Sequence, residues 1–225
     1  EFSAGILPLS AKEQKENKRD ADDIKLVIKT SYADGDFSNC YFSFRELTQF
    51  FGDSVDDETL MMGGECSERN GYFEEAVVIY EEINKKNPVI EITAKILRMK
   101  YRLSKEELYY TQIKDLAEKN PGNIPVLYSY LDILNRRNYI RETIKVLEKL
   151  YDLESSDNKF KIIEEYIRQG AVFQAVQNLE KLKGDSSAAR TLSDIYNRYM
   201  LFELADAVLH KDQTIDPDWI FFREQ

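Results

Sequence analysis

The feature that most restricts what this chain can fold into is a two-helix pattern that returns at nearly constant spacing. Leu60, Gly63, Gly64 and Ser67 make one face of small and apolar residues, Gly71 interrupts it, a second face follows at Phe73, Ala76, Val77, Tyr80 and Ile83, and Pro88 closes the segment. Recurrence at three and four residues is the spacing of one side of an α-helix. Gly past a helix end and Pro beyond it are stop signals. The segment therefore predicts helix, tight turn, helix, stop. Slid along the chain, the residue equivalent to Ala76 falls on Cys40, Ala76, Tyr109, Thr143, Ala175 and Ala205, at intervals of 36, 33, 34, 32 and 30 residues.

Two further observations follow that register. Four residues after each reference position stands an apolar or aromatic residue, namely Phe44, Tyr80, Ile113, Leu147, Leu179 and Leu209. Before most of them comes a turn residue or helix start: Gly35-Asp36-Phe37, Gly71-Tyr72-Phe73, Ser104 to Glu107, Asn138-Tyr139 and Gly170. Ser104 with Glu107 has the form of a capping box. Pro88, Pro121 and Pro217 close units. Tyr109 departs from the pattern, because a large ring stands where the two helices of a unit touch; the third pair is expected to be splayed or shifted in register. The sixth unit has Met200 where a Gly is expected, and its interval of 30 residues implies a shortened loop around Lys183-Gly184-Asp185.

This pattern resembles the tetratricopeptide repeat, whose period is about 34 residues. Leu60, Gly64, Ala76, Tyr80 and Pro88 match its signature, whereas Leu60 and Ser67 stand in for the Trp and Tyr of its first helix. The resemblance covers roughly 21–217 and implies an all-α fold, a right-handed α-solenoid of stacked antiparallel helix pairs with a concave surface lined by the first helices. It also implies a non-enzymatic protein–protein interaction scaffold, since members mostly bind protein segments or assemble complexes. Residues 1–20 are expected to be an extension or spacer, because Ala11 to Asp20 is almost wholly charged or polar. Residues 218–225 hold Trp219, Ile220, Phe221 and Phe222. They are expected to form a capping segment or the start of a truncated further repeat, with a docking patch as the other reading.

Composition removes several function classes. Thirty-one Lys and Arg against 41 Asp and Glu leave a net charge of −10, which repels a phosphate backbone. Nucleic acid is excluded as an expected partner, including the RNA bound by pentatricopeptide-like repeats. Cys40 and Cys66 have no metal-ligand spacing and are too few for a disulfide framework, so they read as core thiols. No apolar run reaches the roughly 18–20 residues of a membrane span. One histidine, His210, leaves little scope for acid–base chemistry, and Gly63-Gly64 lacks the Lys-Ser/Thr of a phosphate loop. No enzyme activity, cofactor or metal is expected. The chain opens at Glu1, so the expectation for location is a soluble domain, cytoplasmic or periplasmic, tethered through a preceding segment if one exists. The alternative function is accordingly a structural subunit of a larger assembly, such as a bacterial pilus, secretion system or flagellar motor.

Candidate binding residues come from a second row. Seven residues before each reference position from the second unit onward stands an arginine: Arg69, Arg102, Arg136, Arg168 and Arg198. Two readings stand open, helix C-capping against the negative end of the dipole and bidentate recognition of a partner's carboxylates. Four residues earlier lie Glu65, Arg98, Asp132, Glu164 and Asp194, which offer intrahelical acid–arginine pairs in four of five units. Arg98 is the exception, so the surface around Arg98 and Arg102 is expected to be locally positive. Tyr128 and Phe160 are candidate apolar anchors or ordinary packing residues. Trp219 is the remaining candidate. Lys25 and Lys29 mimic the start of the carboxylate clamp that some family members use on chaperones, but Met61 and Glu65 follow in place of the required Asn, so that role is rejected.

Overall fold

The structure, a computed structural model, describes residues 20–52, 55–182 and 185–211, which leaves residues 1–19 and 212–225, Trp219 among them, outside the described residues. The side chain of His210 is outside them too. Among the described residues there are twelve helices and no strand: α1 (Ala21–Ala33), α2 (Phe37–Phe51), α3 (Asp57–Arg69), α4 (Phe73–Lys86), α5 (Ile90–Ser104), α6 (Glu107–Lys119), α7 (Ile124–Arg137), α8 (Ile140–Leu153), α9 (Ser156–Arg168), α10 (Val172–Lys181), α11 (Ser186–Arg198) and α12 (Phe202–Lys211). No helix there is long and apolar enough to cross a membrane.

The chain divides into two compact units, Glu1–Gln112 and Ile113–Gln225. In the first, α1 packs on α2 and α3 on α4, while α2 with α3, α1 with α3 and α4 with α5 join successive repeats. In the second, α7 packs on α8, α9 on α10 and α11 on α12, joined through α8 with α9 and α10 with α11. The reference positions explain the pairing. Cys40, Ala76, Thr143, Ala175 and Ala205 are completely buried, and so, within a few per cent, are Phe44, Tyr80, Ile113, Leu147, Leu179 and Leu209. Tyr109 does not enter the core: its ring stays half-buried, 5.9 Å from the Lys100 ammonium.

Each first helix ends in one left-handed residue: Gly35, Gly71, Lys105, Asn138, Gly170 and Met200. Five of these ends are Schellman turns, in which two backbone N–H groups beyond the helix satisfy its last carbonyls. Tyr72 N–H donates to Ser67 O at 2.9 Å and Gly71 N–H to Glu68 O at 3.1 Å, and Leu201 and Met200 repeat this with Tyr196 and Asn197 at 2.8 and 3.0 Å. The third end is simpler, with Lys105 N–H on Tyr101 O at 2.8 Å. There Ser104 is the last residue of α5 and accepts from Glu106 N–H at 3.3 Å, so the capping box expected between Ser104 and Glu107 does not form. The serine is used to close the helix before it instead.

The cysteines correct the reading as thiols. Cys40 on α2 and Cys66 on α3 form a disulfide, with Cα atoms 6.1 Å apart. No local pattern signals the pairing, because the two are 26 residues apart and meet only when one repeat stacks on the next.

α3 packs closely against both of its neighbours through two glycines. A Cβ on Gly63 would stand 2.4 Å from the Phe44 ring of α2, and one on Gly64 would stand 2.9 Å from Tyr80 of α4. Gly63→Ala is expected to lower stability by about 1–3 kcal/mol through overpacking, read as a lower midpoint in urea unfolding. Met200 is 78% exposed and holds a left-handed φ of 59°. Met200→Gly is therefore expected to raise stability by ~0.5–1 kcal/mol, the relief of strain outweighing the added freedom of the unfolded chain; a lowered melting temperature would contradict this.

Candidate functional site

α3 and α5 are the first helices of consecutive repeats, and both turn polar residues toward a shared groove. On α3, Glu65, Glu68 and Arg69 stand at i, i+3 and i+4. On α5, Lys95, Arg98 and Arg102 stand at i, i+3 and i+7, the same spacing of one helix face. With Gly71 and Phe73 they line a cavity of about 470 Å³. Four cations face two carboxylates there, a local balance of +2 on a chain of net −10.

The carboxylates are held across the repeats and not along one helix. Glu65 takes Lys95 Nζ on one oxygen and the Tyr32 hydroxyl of α1 on the other, while Glu68 takes the Arg98 guanidinium and, at 3.5 Å, the Tyr80 hydroxyl. Burial alone raises the Glu65 carboxyl, but the bonds from Lys95 and Tyr32 more than offset it and hold it below its ordinary value. The same hydrogen bond pushes the Tyr32 phenol up to about 12. Tyr80, completely buried with Lys95 Nζ 5.2 Å from its ring centroid, is raised by burial first and by Glu68 next.

Arg69 and Arg102 of the groove each lie over an aromatic ring. Arg69 lies 5.4 Å over Phe37 at the start of α2, and Arg102 lies 5.1 Å over Phe73 at the start of α4. Both distances fall within reach of a cation–π contact. The geometry repeats from one unit to the next: the arginine at the end of a first helix sits on the phenylalanine that opens the second helix of the preceding repeat. Asn70, beside Arg69, fixes this junction by donating to Phe37 O at 2.8 Å and accepting from the Ser38 hydroxyl at 2.9 Å.

In the second unit the arginine row behaves differently. Arg136 pairs along its own helix with Asp132 at 3.1 Å, as the spacing of four predicts. Arg168 takes Glu165, a buried carboxylate that also accepts from Asn135 at 3.1 Å and Gln169 at 2.9 Å, in place of the expected Glu164. Arg198 is exposed at the end of α11. Tyr128 and Phe160 are half-buried on α7 and α9, and the Tyr128 phenol is pushed up to about 12 by burial and by its hydrogen bond to Glu154. The structure thus brings Arg69, Arg98 and Arg102 into one groove in the first unit. Lys95 completes it, a residue whose place on the stripe Lys95, Arg98, Arg102 was available from spacing alone.

Lys25 and Lys29 are engaged at the opposite end of α3, with Asp56 at 3.1 Å and Glu58 at 2.8 Å. Asp56 is also the N-cap of α3, accepting from Thr59 N–H at 2.8 Å. That backbone bond, aided by Lys25, holds its carboxyl down to about 2. A depressed value means that ionised Asp56 stabilises the fold fully above about pH 4 and loses this as pH falls toward the folded value. Its side chain is 49% exposed, so solvent screens the Lys25 pair and the cap dominates. Asp56→Ala is expected to lower stability at neutral pH by ~1 kcal/mol and to flatten acid unfolding between about pH 4 and pH 2, measured by denaturant titration across that range.

No protein-family profile matches the chain, and no curated protein sequence matches it. Solved structures do. The structure is similar to TTC0263, described as a thermophilic TPR protein in Thermus thermophilus, at a TM-score of 0.54 and 15% identity, covering 81% of this chain and 100% of that one. It is also similar to MamA (41-end) from Desulfovibrio magneticus RS-1, at a TM-score of 0.44 and 12% identity, covering 85% of this chain and 92% of that one. On the first of these, the fold is a tetratricopeptide-like helical repeat. Identities this low establish the fold and nothing beyond it.

Proposed function

We propose that this chain is a non-enzymatic scaffold for protein partners, and that the groove between α3 and α5 receives an extended acidic segment of one of them. The observation that carries the reading is the surplus of positive charge in that groove: Arg69, Lys95, Arg98 and Arg102 against Glu65 and Glu68, on a chain that is acidic as a whole. Glu65 and Glu68 engage Lys95 and Arg98. Arg69, whose guanidinium lies over the Phe37 ring, supplies a fork for a partner, and Arg102, over Phe73, adds its charge to the groove. A guanidinium held over a ring is already oriented, so less freedom is lost when its fork meets a carboxylate in a bidentate contact. The negative charge elsewhere weakens long-range attraction of an acidic partner but penalises docking anywhere except the groove, which serves specificity.

The test is fluorescence anisotropy with a labelled Glu-rich peptide. The wild-type chain is expected to bind it, with affinity falling as salt is raised. Arg69→Gln combined with Arg102→Gln is expected to weaken binding ~10-fold or more, with circular dichroism unchanged. Equal binding by the wild type and the double variant, or equal binding of a Lys-rich peptide, would overturn the assignment.

A further inference from the structure

We infer that the Cys40–Cys66 bond is a permanent covalent staple of the groove-bearing unit, and that the protein is made and kept in an oxidising compartment. The first part rests on where the bond sits. Cys40 occupies the small reference position of α2, and Cys66 lies three residues before Arg69 on α3. The equivalent places in the other repeats hold Ala76 with Met99, Tyr109 with Ile133, Thr143 with Glu165 and Ala175 with Ile195; the first and last of these pairs are wholly apolar and buried. The disulfide thus stands at the junction that noncovalent contacts fill in the other repeats, and makes that contact covalent. Both cysteines are completely inaccessible to solvent.

The junction it closes carries the groove. Glu65, Arg69 and Glu68 all lie within one helical turn of Cys66, and the bond to Cys40 fixes the rotation of α3 against α2. Gly63 seats α3 on Phe44 one turn before Cys66, and Asn70 ties it to Phe37 one turn after. The staple therefore lies midway along the contact that supports Arg69 over Phe37.

The second part follows from the chemistry. Closing the bond removes two protons and two electrons from the two thiols; a protein disulfide of the thiol–disulfide oxidoreductase class accepts them and leaves as a dithiol. Disulfides of this structural kind form and persist in oxidising compartments and are rare where thiol pools are kept reduced. Once the repeats are stacked, an attacking thiolate cannot reach either sulfur without opening α2 from α3. The bond then behaves as a fixed part of the fold and not as a switch.

Two measurements test this on the full chain. Cells that make the protein are quenched in acid, and the denatured chain is treated with a maleimide before and after reduction by dithiothreitol, then weighed. No adduct before reduction and two after it are expected; two adducts before reduction would overturn the inference. Hydrogen exchange is then compared between the wild type and the Cys40→Ala, Cys66→Ala variant. Amides of α2 and α3 are expected to exchange on the order of 100-fold faster in the variant, while those of α7 to α10 keep their rates. Equal rates in α2 and α3 would sink the staple. Neither measurement involves an acidic peptide, so the groove assignment and this one stand or fall separately.

Discussion

A helix followed by a second helix that lies back along it requires the backbone to reverse within about three residues, and six residues in left-handed conformation provide that reversal here. Gly35, Gly71, Lys105, Asn138, Gly170 and Met200 each end a first helix with a positive φ, five of them in Schellman turns. Everything else in each repeat is registered to them. The buried small residue comes five residues later at Cys40, Ala76, Thr143, Ala175 and Ala205, and the arginine row lies two residues earlier, or three at Arg102. Lys105 and Met200 hold a conformation that costs a side-chain-bearing residue roughly 1–2 kcal/mol, so stacking of the helices must outweigh that strain. Tyr109 shows the limit of the pattern: the turn at Lys105 forms, yet the ring does not enter the site that Ala or Thr fills elsewhere.

The arginine row illustrates how one sequence position acquires different chemistry from its surroundings. Three residues before the first five reference positions, those that precede an arginine of the row, stand Phe37, Phe73, Glu106, Ile140 and Val172. Only the first two offer a ring, and the arginines above them, Arg69 and Arg102, are the ones that stack. Arg136 and Arg168 are drawn into local pairs with Asp132 and Glu165 instead. The row separates by unit: Arg69 and Arg102 lie over rings that the preceding repeat presents, and Arg136 and Arg168 pair with carboxylates of their own helices.

Within the first unit the groove and the core are built from the same helix. α3 carries Gly63 and Gly64 against its two neighbours, Cys66 in the disulfide, and Glu65, Glu68 and Arg69 on the groove wall. A disulfide closing 26 residues removes ~3–4 kcal/mol of unfolded-chain entropy in the loop-closure treatment. That is a large share of the stability of an ordinary domain. It falls at the junction of the first two repeats, where the groove's arginine and its aromatic support come from opposite sides.

The sequence by itself determined the repeat, because helical periodicity and the demand for a small residue and a left-handed turn are local properties. It placed six helix pairs, the buried positions after every turn but the third, and the cations around Arg98 and Arg102. It also held the stripe Lys95, Arg98, Arg102 in plain view. What it did not contain was the partner of each side chain. Glu65 was within reach of Arg69 by spacing, and Ser104 of Glu107; in the fold Glu65 turns to Lys95 and Tyr32, and Ser104 closes the helix before it. Cys40 met Cys66, and Arg69 met Phe37, only when α3 packed against α2. Periodicity fixes which face a residue occupies. Which residue lies opposite depends on the distance and rotation between stacked repeats, set by contacts such as Gly63 on Phe44 that no single helix contains.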